Sequence, residues 1–208
     1  MGISILRSSS NWLPFLKSFP LTNDPGTEFG YSNFTAHIMG IIVSRSANTS
    51  LLSFLRNQLC NEMRISVPFW PKDGLGYYYG SGDIFLTPRN LAKFGQLHQD
   101  WGVWNHVHYI SPQWISKSLQ IYSPTTYGRE ILSHIHNLGY GYMWWSGKSG
   151  THDIWYAWGH GGQLVVIIND LNMVVVSTAS VPSEVNNDAW QKTKVIMELV
   201  GKLIEQIK

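Results

Sequence analysis

The chain has 208 residues, of which 44 % are hydrophobic and 13 % charged, and its net charge is +2. That length and apolar content build a packed domain, or a large part of one, and exclude a disordered chain. Lys and Arg are not clustered, so no nucleic-acid partner is expected, and no stretch of 18 apolar residues is available to cross a bilayer.

Cys60 is the single cysteine, which excludes an internal disulfide and a thiolate metal cluster. It sits among Leu55, Leu59 and Met63 at helical spacing and reads as a small buried hydrophobe. Ten Trp and ten Tyr stand where charge is scarce, which suits work outside the cytoplasm. Residues 1–20 lack the apolar core and cleavage site of a signal peptide, so any export signal of a periplasmic or secreted parent protein is expected upstream.

Residues 1–30 are punctuated by Pro14, Pro20, Pro25 and Gly26 and are expected to be irregular. A helix is expected after Asn33, with Ile38, Ile41 and Ile42 as its apolar stripe. Ser50 can cap a second helix bearing Leu51, Leu52, Phe54, Leu55 and Leu59. Residues 65–86, rich in Pro, Gly and Tyr, read as a loop with short extended pieces. Thr87-Pro88 and Ser111-Pro112 each pair a capping hydroxyl with Pro at the first helical position, predicting helices to about Leu97 and Leu119. Residues 139–145 and 155–158 are expected as strands, and 164–168 and 173–178 as a hairpin with a polar turn at 169–172. The last element is an amphipathic helix over 189–207, with Ile196, Met197, Leu199, Val200, Leu203, Ile204 and Ile207 as its buried stripe. The economical arrangement is α+β: an antiparallel β-sheet flanked by helices, with the 33–120 helices on the face opposite the last helix.

Four local sequences resemble one family. Tyr31-Ser32-Asn33 is similar to the Tyr-x-Asn segment of class C β-lactamases and related esterases and amide hydrolases. Residues 80–88 resemble their loop into a later helix, and 139–145 resemble their first strand after the helical insertion. Gly159-His160-Gly161-Gly162-Gln163 resembles the His-Gly-Gly form of the motif that β-lactamases write as Lys-Thr-Gly. Order and spacing agree from about residue 12 onward. The resemblance implies a β-lactamase/transpeptidase-like serine hydrolase or penicillin-binding-protein relative, as a single partial domain over 1–208. Its mostly helical portion would cover about 31–138, and its sheet and last helix about 139–208. No Lys has Ser three residues before it, so the Ser-x-x-Lys nucleophile motif is absent, and the N-terminal part of the family fold is expected to be missing.

The resemblance implies acyl-enzyme chemistry on an ester, amide or β-lactam, with no cofactor and no metal. Tyr31 would share the proton relay, and Asn33 would hold the relay or a substrate amide. His160, standing where Lys of Lys-Thr-Gly stands, would orient substrate or assist Tyr31. Gly161 and Gly162 would admit substrate to the strand edge, the Gln163 backbone N–H would be an oxyanion donor, and Trp158 would line the cleft. Ordinary structural roles stand beside these: a core tyrosine, a turn histidine, a glycine bulge, and Trp144, Trp145, Trp155 and Trp158 as sheet packing. His106/His108 and His134/His136 are each spaced to share one strand face, but neither pair has an evident third ligand for a metal. Ser32 has nothing to activate it, and Asp83 and Asp170 read as turn residues. Missing strands would leave a sheet edge open to self-association.

Overall fold

The computed structural model describes residues 7–132, 134–180 and 187–207. They fall into two compact units, Met1–Leu86 and Thr87–Lys208. Among the described residues no single helix is long and apolar enough to cross a membrane.

The first unit holds α1 (Leu13–Ser18), α2 (Asn33–Ser46) and α3 (Leu51–Leu55), the last continuing into one π turn over Arg56–Cys60. The Ser32 and Ser50 hydroxyls accept from Thr35 N–H and Ser53 N–H, so side-chain capping fixes where α2 and α3 begin. α1 falls where irregular chain was expected: Pro14 lies within its first two positions, where a missing N–H costs nothing. Cys60 is buried, and burial pushes its thiol up, in keeping with a packing role.

The core of this unit joins Trp12, Phe34, Ile41 and Tyr79. The buried face of α2 runs through Phe34, His37, Gly40, Ile41 and Ser44, whereas Ile42 is 48 % exposed. The expected stripe was therefore rotated, because a buried histidine, invisible to a count of apolar residues, marks the true inner face.

His37 is matched by an equally buried carboxylate. Asp73 Oδ2 accepts from Trp12 Nε1–H at 2.7 Å and lies 2.8 Å from His37 Nε2, while Oδ1 accepts from the N–H groups of Leu75 and Tyr77 at 2.9 and 2.8 Å. Gly80 N–H donates to His37 Nδ1 at 3.2 Å. Nδ1 is thus the acceptor, the imidazole proton sits on Nε2, and that proton points at Asp73.

The second unit is built on an antiparallel sheet of β3 (Ser123–Pro124), β4 (His136–Tyr140), β5 (Trp145–Ser149), β6 (His152–Gly159), β7 (Gln163–Ile168) and β8 (Met173–Ser177), paired in sequence order. A small hairpin of β1 (Val103–Trp104) and β2 (Val107–His108) precedes it. Strand alternation gives each face its own residues. Trp155, Ala157, Val165, Ile167 and Val174 face α4 (Pro88–Gln99) and α5 (Pro112–Ser118), with Gly95 of α4 lying against Val165 and Val174. Trp145, Ile154, Tyr156, Trp158, Leu164 and Val166 share the other face with α6 (Asn187–Gln206), where Ile196 meets Gly162 and the Ser149 hydroxyl donates to Gly201 O. The expected α+β class, an antiparallel sheet flanked by helices, is the one found, and of the 33–120 helices α4 and α5 cover the face opposite α6.

Two elements differ from expectation. Residues 139–145 are not one strand but the end of β4, a turn over 141–144 and the start of β5: Gly141 N–H donates to Trp144 O, and Met143 has a φ of 67°. On α6 the buried row is Ala189, Thr193, Met197, Val200 and Ile204, whereas Leu199 and Leu203 are 61 % and 45 % exposed. A period of 3.6 residues places both leucines away from that row.

Burial pushes the Asp73 carboxyl up, but hydrogen bonds from His37, Trp12 and Tyr77 outweigh it and hold the group below the usual carboxylate range. A depressed native pKa stabilises the fold above the unfolded value of about 3.9, and that contribution is lost as pH falls through the lower native value. Stability measured by urea unfolding should therefore drop steeply below about pH 4. Asp73→Asn should cost about 3 kcal/mol at neutral pH and flatten this acid limb. Equal midpoints for parent and variant at every pH would contradict the assignment.

Candidate functional site

The predicted site residues lie in two groups, one in each unit. Tyr31 and Asn33 bracket the start of α2. Tyr31 is 40 % exposed, and its hydroxyl lies 3.5 Å from Asn33 Oδ1, a long contact. Ser32 between them is occupied as the N-cap of α2, a structural duty.

The second group is the β6–β7 hairpin. Gly159 pairs with Gln163, and residues 160–162 make the loop, with Gly161 and Gly162 at φ of 84° and 93°. Only glycine takes such angles without strain. Gly161 N–H donates to the buried Thr193 hydroxyl of α6 at 3.1 Å. A Cβ on Gly162 would lie 2.3 Å from Ile196 Cδ1, so the room this glycine leaves is filled by α6. The Gln163 side chain clamps the chain beyond β8: its Nε2 donates to Ala179 O at 2.6 Å, and its Oε1 accepts from Ala179 N–H at 3.1 Å.

His160 projects from this loop against Trp190 of α6, with ring centroids 4.6 Å apart at 72°. Both its ring nitrogens are buried without a hydrogen-bond partner among the described residues. Buried polar atoms are normally satisfied, and exceptions concentrate where a ligand or water completes the set. Trp158 packs near the same Trp190 and, with it, lines an open groove of about 650 Å³. Tyr127, Glu130, Gln191 and Lys194 complete its walls, giving two indoles, a phenol, one anion and one cation.

Trp158 is thus a groove residue, while Trp144 and Trp145 are buried and Trp155 Nε1–H donates to Leu119 O. Composition did not single out Trp190, Tyr127 or Lys194. Trp190 merges with the apolar pattern of α6, and the 126–131 loop carries no motif.

The histidine pairs do not share strand faces. His106 lies in the β1–β2 turn with a φ of 66°, and His134 lies ahead of β4 beside Glu205 at 3.1 Å. Among the described residues no group of three or more His, Cys, Asp or Glu is placed to hold a metal. Asp83 accepts from the Arg7 guanidinium at 2.7 and 2.6 Å, and Asp170 pairs with His152 at 2.6 Å.

A hairpin with its His-Gly-Gly loop locked to the last helix, in an antiparallel sheet faced by helices on both sides, fits a β-lactamase-type fold. The family model for beta-lactamase matches residues 8–195, and the chain belongs to that family. Solved structures agree in fold. A Bacillus anthracis protein proposed to be a 6-aminohexanoate-dimer hydrolase matches at a TM-score of 0.69 and 18 % identity, over 92 % of this chain and 48 % of its own. A penicillin-binding protein homologue from Pyrococcus abyssi, octameric in its structure, matches at 0.64 and 16 %, over 88 % and 44 %. Simvastatin synthase from Aspergillus terreus matches at 0.64 and 13 %, over 91 % and 58 %. The chain therefore spans about half the length of these proteins. No curated protein matches the sequence.

Gly162→Ala separates packing from access as the reason for this glycine. It forces a Cβ into a left-handed backbone and against Ile196, and should cost about 1–3 kcal/mol in thermal or urea unfolding. An unchanged melt would show that α6 does not use the space.

Proposed function

We propose that this chain is the C-terminal part of a serine hydrolase acting by acyl transfer on an ester, amide or β-lactam. The observation that carries the reading is His160, which packs against Trp190 of the aromatic-lined groove and has no hydrogen-bond partner for either ring nitrogen among the described residues. A polar group left unpaired in the interior is costly unless a ligand completes it. In this reading His160 donates to, or accepts from, a substrate heteroatom, and Trp158 and Trp190 stack against its apolar body. The Gln163 backbone N–H is one oxyanion donor, and Gly161 admits substrate to that strand end, while the space beside Gly162 is taken by Ile196. Tyr31 carries the relay proton, and Asn33 orients it or the substrate amide. The attacking oxygen and its lysine belong to a Ser-x-x-Lys that this sequence does not contain.

That missing motif favours a second reading, a non-catalytic relative that binds a small ligand. An in-frame Ser-x-x-Lys in the coding sequence upstream of Met1 would separate the two, and both require the groove to bind. A small aromatic ester or a penicillin titrated into the chain should quench tryptophan fluorescence saturably, and Trp158→Ala or His160→Ala should weaken binding by roughly tenfold. Mass spectrometry after a fluorophosphonate or penicillin probe should show no specific covalent adduct. A stoichiometric adduct would overturn the absent nucleophile; absent quenching would overturn the groove.

We further infer that the chain self-associates through β8. This terminal strand reads Met-Val-Val-Val-Ser, carries no charge, and has no partner on its outer edge among the described residues. Such an edge is a template for another strand. Sedimentation velocity should show concentration-dependent oligomers that Val175→Lys suppresses. A monomer at all concentrations would refute this.

A further inference from the structure

The Asp73 hub has a function beyond holding the core together. His37 lies four residues after Asn33 on α2, so the two share one side of the helix, a single turn apart. At the same level α2 meets the loop around Gly80 backbone to backbone. A Cβ on Gly80 would lie 2.7 Å from Ala36 O, and one on Gly40 would lie 3.0 Å from Gly80 Cα. Contacts of this kind set the distance between helix and loop and the face that α2 turns towards it.

His37 adds an angular constraint to this packing. Its two nitrogens face different partners, Gly80 N–H on one side and Asp73 on the other, and Asp73 is itself fixed by Trp12 and by two backbone donors. Five hydrogen bonds of defined angle converge on two wholly buried side chains. An apolar pair of similar volume would fill this space without desolvating a carboxylate. What the polar pair adds is a fixed rotation and register for the first turn of α2.

We propose that His37 and Asp73 form a positioning pair that sets the orientation of Tyr31 and Asn33. The proposal rests on Tyr31 and Asn33 being site residues. A displacement of about 1 Å at reacting groups is enough to cost two orders of magnitude in rate, so rotational control of this turn matters for a relay.

The test is NMR on the intact chain labelled with ¹³C and ¹⁵N. In the parent, His37 should show the Nε2–H tautomer with a slowly exchanging ring N–H. His37→Gln keeps a donor towards Asp73, while a displaced amide oxygen replaces Nδ1 as the acceptor for Gly80. His37→Phe removes both. The Tyr31 ring and the Asn33 side-chain amide should shift and broaden in His37→Phe and be partly restored in His37→Gln, with circular dichroism unchanged. Ile41→Val, an apolar change in the same core, should leave both signals in place. Tyr31 and Asn33 signals identical to the parent in His37→Gln would overturn the proposal even if His37→Phe fails to fold. Equal disturbance by Ile41→Val would reduce the pair to ordinary packing. No substrate enters the readout, so loss of the hydrolase reading and loss of the positioning pair are told apart.

Discussion

The second unit depends on close approach of helices to both faces of one sheet. A sheet buried on two sides has no room for ordinary side chains wherever a helix axis comes nearest. Gly95 meets Val165 and Val174 on one face, while Gly162 meets Ile196 and Gly201 meets His134 on the other. With those three positions clear, Ile154, Tyr156, Leu164, Val166, Ile167 and Ile168 reach complete or nearly complete burial. The hairpin that carries His160 is held in place by the same closure, through Thr193 and Trp190 of α6.

The first unit solves the equivalent problem with charge. Its core is small and aromatic, and its centre is a carboxylate with four donors, an arrangement whose cost is met only because every lone pair in use has a partner. The two units thus illustrate two ways of fixing an element: steric closure around glycine, and angular closure around a buried ion.

The starts of α3, α4 and α5 were plain in the sequence because the signals are local. Ser50, Thr87 and Ser111 each cap through a bond to an N–H three residues on, and Pro88 and Pro112 reinforce two of them. The β7–β8 hairpin was equally legible from its β-branched runs and polar turn. The 141–144 turn was not, since its alternating aromatics mimic a strand and only the positive φ of Met143 betrays it. Nor was the true inner face of α6, where Thr193 belongs to the buried row and Leu199 does not. Of the candidate site, motif likeness found Trp158, His160 and Gln163. It had no means of finding Trp190 or Asp73, whose importance comes from what the fold brings beside them.

The glycine contacts differ in how damage to them can be repaired during evolution. Where glycine faces a side chain, as Gly95 faces Val174, an added methyl can be offset later by trimming the valine, so the pair has an escape route of two ordinary steps. Where glycine faces main chain, as Gly80 faces Ala36 O and Gly40, there is nothing to trim. The α2–loop junction is therefore free to drift only by reversion or by moving the backbone, and it should be among the slowest-changing places in any lineage that keeps this unit folded.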